Sequence, residues 1–169
     1  MVGDRNDIAI RLVTADDAPL IAWQRARMWE DMGELPGEVF ETLRARAEVQ
    51  FRDLIGTGEY VGWFAAPVAT PETIVAGAGI FLRASLPSPK KANGATVGVT
   101  TGKLGLLINV FTEPAWRRRG IALLLMQQAI DWCRVNDVDR LILHASDAGR
   151  PLYEKMGFRP TNEMRLEGL

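Results

Sequence analysis

Cysteine is nearly absent from this chain. Cys133 is the only one in 169 residues, so no internal disulfide can form and no Cys-x-x-Cys pair exists to hold a metal. An excess of one charge sign is also missing, since 20 Lys and Arg face 21 Asp and Glu for a net charge of −1. That balance provides no global basic field for nucleic acid or a membrane surface. No window approaches the length of a membrane span. The first residues, MVGDRNDIAIRL, carry charges where a signal peptide needs an apolar run. No Walker-type Gly-x-x-x-x-Gly-Lys-[Ser/Thr] loop occurs, which disfavours a nucleotide-binding protein. Internal repeats, low-complexity tracts and dividing linkers are lacking too. What remains is 47% hydrophobic and 24% charged. This composition predicts one globular domain over 1–169 with a sizeable core, soluble and cytoplasmic.

The most informative stretch is 104–126, LGLLINVFTEPAWRRRGIALLLM. Leu104, Leu106, Leu107, Ile108, Val110 and Phe111 form a nearly continuous apolar run, as expected of a strand buried on both faces. Glu113-Pro114 stops it, because proline cannot donate to a sheet ladder. Arg117, Arg118, Arg119 and Gly120 then precede a helical pattern. Its apolar stripe is read as Ile121, Leu124, Leu125, Ala129 and Trp132, with Gln128 on the same side. A helix start has unpartnered N–H groups and a partial positive charge. Gly120 allows close backbone approach, and the arginines add full charges. Together these features suit a pyrophosphate. A solvated basic helix start that binds nothing has the same sequence.

The order Arg117-x-x-Gly120-x-Ala122, the strand before it, and Leu152-Tyr153-Glu154-Lys155-Met156-Gly157-Phe158 downstream resemble the GNAT superfamily of N-acetyltransferases. The clear resemblance covers about residues 104–166. It implies an α/β (α+β) fold: a mixed, mostly antiparallel twisted sheet with a central splayed parallel strand pair and flanking helices. It also implies acetyl-CoA as cosubstrate, with the pantetheine arm entering the splay, and no metal.

The rest of the chain is compatible. Strands are predicted at 8–13, 60–66, 74–83, 104–111, 140–145 and 158–166. Helices are predicted from a Thr14/Asp17 capping box to about Met32, over 38–55, from Gly120 to about 135, and over 149–156. Strands 104–111 and 140–145 flank one helix, which argues for a parallel pair with a right-handed crossover. The polar connection 84–103 is long for a simple hairpin loop. It is either a functional segment or a decorated surface hairpin.

The resemblance carries roles over by position. The backbone N–H of Val110 would meet the acetyl carbonyl and stabilise the oxyanion. Phe111 and Thr112 would pair with pantetheine. The amides of Arg118, Arg119, Gly120, Ala122 and Leu123 would hold the pyrophosphate, with Arg117 and Ile121 in the same segment. Tyr153 would be the general acid that protonates the leaving thiolate. Two departures stand out. Ser146 occupies a position where many relatives have a cofactor-contacting asparagine. Strand 104–111 has no Asp or Glu, so the glutamate base of histone-acetylating relatives is missing. Candidate bases are His144, the only histidine, and Glu30, Asp31 or Glu34 at the end of the first helix, or an ordered water. The expected reaction is acetyl transfer to a primary amine of a small molecule or peptide, by direct attack in a ternary complex. Cys133 lies mid-helix as a packing residue, so no covalent route is evident. A non-catalytic acyl-CoA-binding or sensing module of the same fold is the rival reading. Neither nucleic acid nor membrane is expected as a partner, and a homodimer is compatible.

Overall fold

The computed structural model describes residues 7–161, 163, 164 and 166. Five strands form one sheet in the order β1-β2-β3-β6-β7: β1 Ile8–Leu12, β2 Tyr60–Pro67, β3 Ala76–Ala84, β6 Lys103–Thr112 and β7 Arg140–Leu143. Every neighbouring pair is antiparallel except β6 and β7, which are parallel. A mixed, mostly antiparallel sheet with one parallel pair, as expected from the sequence, is therefore observed. Helix α3, Ile121–Val135, covers one face. Helices α1, Ala18–Asp31, and α2, Gly37–Gly56, cover the other.

The start of α1 follows its local chemistry. The Asp17 carboxylate accepts from the Thr14 N–H at 2.8 Å and from both terminal nitrogens of Arg11 at 2.8 and 2.7 Å. Arg11 first, and the Thr14 amide after it, hold that carboxyl below its ordinary range. Pro19 in the first turn costs nothing, since its missing N–H would lack a helical partner there anyway.

The buried face of α3 is rotated from the expected stripe. Ile121, Leu125, Met126, Ala129 and Cys133 form it. Leu124 and Trp132 are half-buried, and Gln128 is exposed. Ile121, Leu125, Ala129 and Cys133 follow a four-residue spacing, and Met126 lies beside that row. Full burial of the large side chains Ile121, Leu125 and Met126 contributes roughly 1.5–3 kcal/mol each.

The 84–103 connection contains a hairpin, β4 Pro89–Ala92 with β5 Ala95–Val99, whose β5 residues are all exposed. Asp139 anchors its return. That carboxylate accepts from the N–H groups of Thr101, Gly102 and Lys103 at 3.0, 2.8 and 2.9 Å.

The strand expected over 158–166 is not formed by its described residues; 162 and 165 lie outside them. The Phe158 N–H donates to Tyr153 O at 3.0 Å, closing the helix α4 (Arg150–Lys155) instead of entering a ladder. Pro160 has no N–H to give. Residues 158–161 instead line a cavity of about 740 Å³ beside α3, β7 and α4.

Candidate active site

The site begins where β6 changes register. Gly79 pairs with Ile108, and Gly77 pairs with Phe111. Two steps on β3 therefore face three on β6, and one extra residue bulges out. Asn109 provides the turn, with a φ of 56°. Asparagine is among the few residues that tolerate this left-handed conformation. The bulge resets which way side chains point. Ile108 packs on the α1/α2 cluster, and Asn109, from the same face, meets Arg25 of α1. Val110 packs on the α3 cluster. Phe111 returns to α1, edge-on to Trp23 at 6.2 Å.

The parallel pairing ends just before the bulge. It runs from Leu104↔Arg140 to Leu107↔Leu143. β6 continues five residues further to Thr112, while β7 stops at Leu143. Among the described residues Val110 has no register partner in β3 or in β7. The two strands thus part next to a backbone N–H outside the sheet register.

Beyond β6, the chain turns at Pro114–Trp116 and reaches α3 through Arg117–Gly120. Arg118 and Gly120 are left-handed, with φ of 65° and 81°. Alternating hands fold successive amides toward one side, which forms an anion nest. Among the described residues, the N–H groups of Arg118, Arg119, Gly120, Ile121, Ala122 and Leu123 donate to no backbone carbonyl; the first helical bond is Leu124 N to Gly120 O at 3.2 Å. Six consecutive donors thus lie at the positive end of α3.

The three arginines do different work. Arg117 donates its Nε to Thr112 O at 2.9 Å and pairs with Asp31, tying the end of β6 to the end of α1. Arg119 lies over the Trp116 ring at 4.8 Å and donates to Ala115 O. Arg118 is exposed and, among the described residues, bonded to nothing. It is the cation available to a ligand at the nest.

Tyr153 sits on α4, packed against the same α3 cluster as Val110. Its ring lies 6.1 Å from Phe158 and directly over Gly149, where a Cβ would come within 2.9 Å of the tyrosine ring. Burial pushes its phenol above the ordinary value, so it is protonated at neutral pH. Ser146 holds the start of α4. Its hydroxyl accepts from the Gly149 N–H at 3.2 Å, and its carbonyl from Arg150 N at 2.9 Å. Cys133 is buried in α3, and desolvation pushes its thiol up to about 11. It is a poor nucleophile.

The candidate bases separate. His144 is exposed and its Nε2 lies 2.9 Å from a Glu163 carboxylate oxygen. Glu30 lines a groove of about 610 Å³ with Trp23, Arg27, Phe40, Glu41, Glu113 and Pro114, at the far end of β6. Glu30 is paired there with Arg27.

Sequence reasoning missed Asn109, Arg25, Gln24 and Tyr60. The available signal was a lone asparagine interrupting an otherwise apolar strand, in a segment where two glycines, Gly77 and Gly79, stand opposite. Those glycines make room. A Cβ on Gly77 would sit 2.3 Å from the Gln24 side-chain oxygen, and one on Gly79 would sit 2.0 Å from the Tyr60 hydroxyl.

Residues 90–168 match the acetyltransferase (GNAT) domain family. A GCN5-related N-acetyltransferase from Ralstonia eutropha JMP134 is 25% identical, with TM-score 0.80 over 94% of this chain and 97% of that one. A predicted acetyltransferase from Clostridium acetobutylicum, solved with acetyl-CoA, is also 25% identical, with TM-score 0.75 over 95% and 96%. Glucosamine-6-phosphate N-acetyltransferase from Arabidopsis thaliana shares the fold at 15% identity, with TM-score 0.64 over 95% and 97%. No curated protein matches the sequence.

Proposed function

We propose that this chain is a GNAT acetyltransferase that moves an acetyl group from acetyl-CoA to a primary amine by direct attack in a ternary complex, a reading supported by the match over residues 90–168 and by the fold shared with a 25% identical relative. The observation that carries this reading is the row of six unpartnered N–H groups from Arg118 to Leu123, beginning six residues after β6 ends. An apo protein exposes such a row to water at little cost. A pyrophosphate would fill it with charge-assisted hydrogen bonds. Arg118 would add a full charge, while Arg117 serves the fold through Asp31 and Thr112.

Each residue then has a task. The splay beyond Leu107 and Leu143 leaves the edges of Phe111 and Thr112 to the pantetheine arm. The Val110 N–H, outside the register, would donate to the thioester oxygen as it gains charge, an effect worth roughly 3–4 kcal/mol in a well-placed site. Tyr153, held protonated by burial, would give its proton to the departing thiolate. The amine's own proton would leave through Glu30, at the groove beside the end of β6, or through ordered water. His144, facing Glu163, is the less suited base.

Acetyl-CoA should raise the melting temperature by mass action, with ATP and NAD doing so much less. Equal shifts from all three, or none from acetyl-CoA, would overturn the reading. Thiol release over a panel of amines then separates an enzyme from a non-catalytic binding module.

A further inference from the structure

Beneath α1 lies a group of polar side chains that the transfer chemistry above does not use. Arg25 donates Nη1 to the Asn109 side-chain oxygen at 2.8 Å and lies over the Trp29 ring at 5.8 Å. Asn109 is 3% exposed and Gln24 is 2% exposed. The side-chain nitrogens of both are buried without a hydrogen-bond partner. Gln24 lies over Gly77 and Asn109 sits at the bulge opposite Gly77–Gly79, so the two amides flank the same register break. Among the described residues, no carboxylate pairs with Arg25. Among the described residues, the one group of potentially opposite charge near it is the Tyr60 phenol, which burial holds neutral and which also lies within reach of the Asn109 side chain.

The inventory is one-sided. Arg25 has five N–H donors, and each amide nitrogen has two. One of these nine makes a well-formed hydrogen bond, and the Tyr60 phenol lies within reach of one more on Asn109. Buried donors left unpaired are costly and rare in folded proteins, and a guanidinium in partial burial normally finds a carboxylate. An excess of donors with one positive charge calls for an anionic acceptor group. The place matters as well: Asn109 immediately precedes Val110. Arg25 and Trp29 are only half-buried, so a ligand arriving along α1 meets the guanidinium before the amides.

We propose that Arg25, Asn109 and Gln24 recognise a carboxylate on the acceptor, so that the substrate is an amine that also carries a carboxylate. This specificity rests on the acetyltransferase reading above. Arg25 would take the carboxylate through its unused fork, and the Asn109 and Gln24 amides would supply neutral donors as the group settles. Binding would place the amine of the same molecule beside the Val110 amide.

Matched acceptors test this: glycine against glycinamide, and phenylalanine against phenylalaninamide, each with acetyl-CoA and the full chain. The acids should be preferred in kcat/KM by on the order of tenfold or more, because the amides leave the cation unpaired. Arg25→Met should bring the ratio close to one, mainly through KM. Should that variant fail to fold, Asn109→Asp keeps the shape and the left-handed turn while giving Arg25 an internal carboxylate. It should abolish the preference as well. Equal use of acids and amides by the wild-type chain overturns the carboxylate site but leaves acetyl transfer standing. If none of these four acceptors is acetylated, binding decides this proposal. With CoA present, N-acetylphenylalanine should raise the melting temperature more than its amide, and the difference should vanish in either variant. Equal shifts would overturn it.

Discussion

Gly120 allows the two demands on the nest to be measured apart. Its φ of 81° and ψ of 4° are left-handed, and a Cβ there would meet nothing within 4 Å. A side chain at this position therefore costs backbone strain but no clash. For Gly120→Ala that strain is about 1–2 kcal/mol, a fall of a few degrees in melting temperature for a chain of this size. Gly120→Glu carries the same strain and adds a negative charge among the six free N–H groups. Without ligand, that charge faces the positive end of α3 and regains about 0.3–1 kcal/mol. With ligand, it opposes the pyrophosphate. At about 6 Å and an effective dielectric near 20, one unit of like charge costs roughly 2.8 kcal/mol, about a hundredfold in Kd. Titration calorimetry with acetyl-CoA on both variants, at low and high salt, reads these effects. The expected result is a Glu variant at least as heat-stable as the Ala variant, binding far more weakly, with a gap that narrows as salt rises. Equal affinities in the two variants would refute the electrostatic argument. Wild-type affinity in both would place the ligand elsewhere.

Tyr153→Phe keeps the ring over Gly149 and beside Phe158, so acetyl-CoA affinity should hold while turnover falls on the order of a hundredfold. Full turnover, measured on a variant whose melting temperature is unchanged, removes Tyr153 from the mechanism. Asp139 predicts an acid limb in stability. Partial desolvation would raise its pKa, but the amides of Thr101, Lys103 and Gly102 and the Thr101 hydroxyl outweigh this and hold it at about 2. Its folded value is depressed, so its contribution is complete above the ordinary 3.8 and is lost as pH falls toward 2. Asp139→Asn should flatten that limb in denaturant titrations at pH 2–5; an unchanged limb would mean that other carboxylates control it. Asp31→Asn should loosen the Arg117 tie and raise KM for the amine more than Kd for acetyl-CoA, because the tie fixes the end of α1 to β6 rather than the nest.

Much of this architecture is legible in residue order because it depends on periodicity and punctuation. The parallel pair follows from two apolar strands flanking one amphipathic helix. The nest follows from a glycine and arginines at a helix start. What stays hidden depends on contacts distant in sequence. Nothing near Arg25 announces that it meets Asn109, 84 residues away. Nothing in the sequence near Ser146 announces that its hydroxyl accepts from the Gly149 amide. The flanks of the α3 stripe could be misplaced because Leu124, Leu125 and Met126 are all apolar, and only the sheet decides which of them face it. The strand expected over 158–166 is absent from its described residues for a local reason, since the Phe158 amide is taken by the turn that ends α4.

The single residue inserted at Asn109 connects these parts. In a regular ladder, the Val110 amide would stand in register with a residue of β3. With one residue added, the ladder is interrupted between Ile108 and Phe111, one position after the parallel pairing to β7 has ended at Leu107. The loss of register on one side and of pairing on the other fall on the same short segment. Neither alone would open the sheet there: a bulge beside a continuing β7 would be covered, and a splay beside a regular β3 ladder would keep the amide in register. The left-handed turn at Asn109 is held on the other face by Arg25 from α1. Whatever occupies the acceptor side of Arg25 therefore acts on the turn that aims the Val110 amide. If Arg25 takes the acceptor and the Val110 N–H meets the oxyanion, as proposed, the two roles would share the Arg25–Asn109 hydrogen bond, so substitutions at Arg25 should alter kcat for poor acceptors as well as KM for good ones.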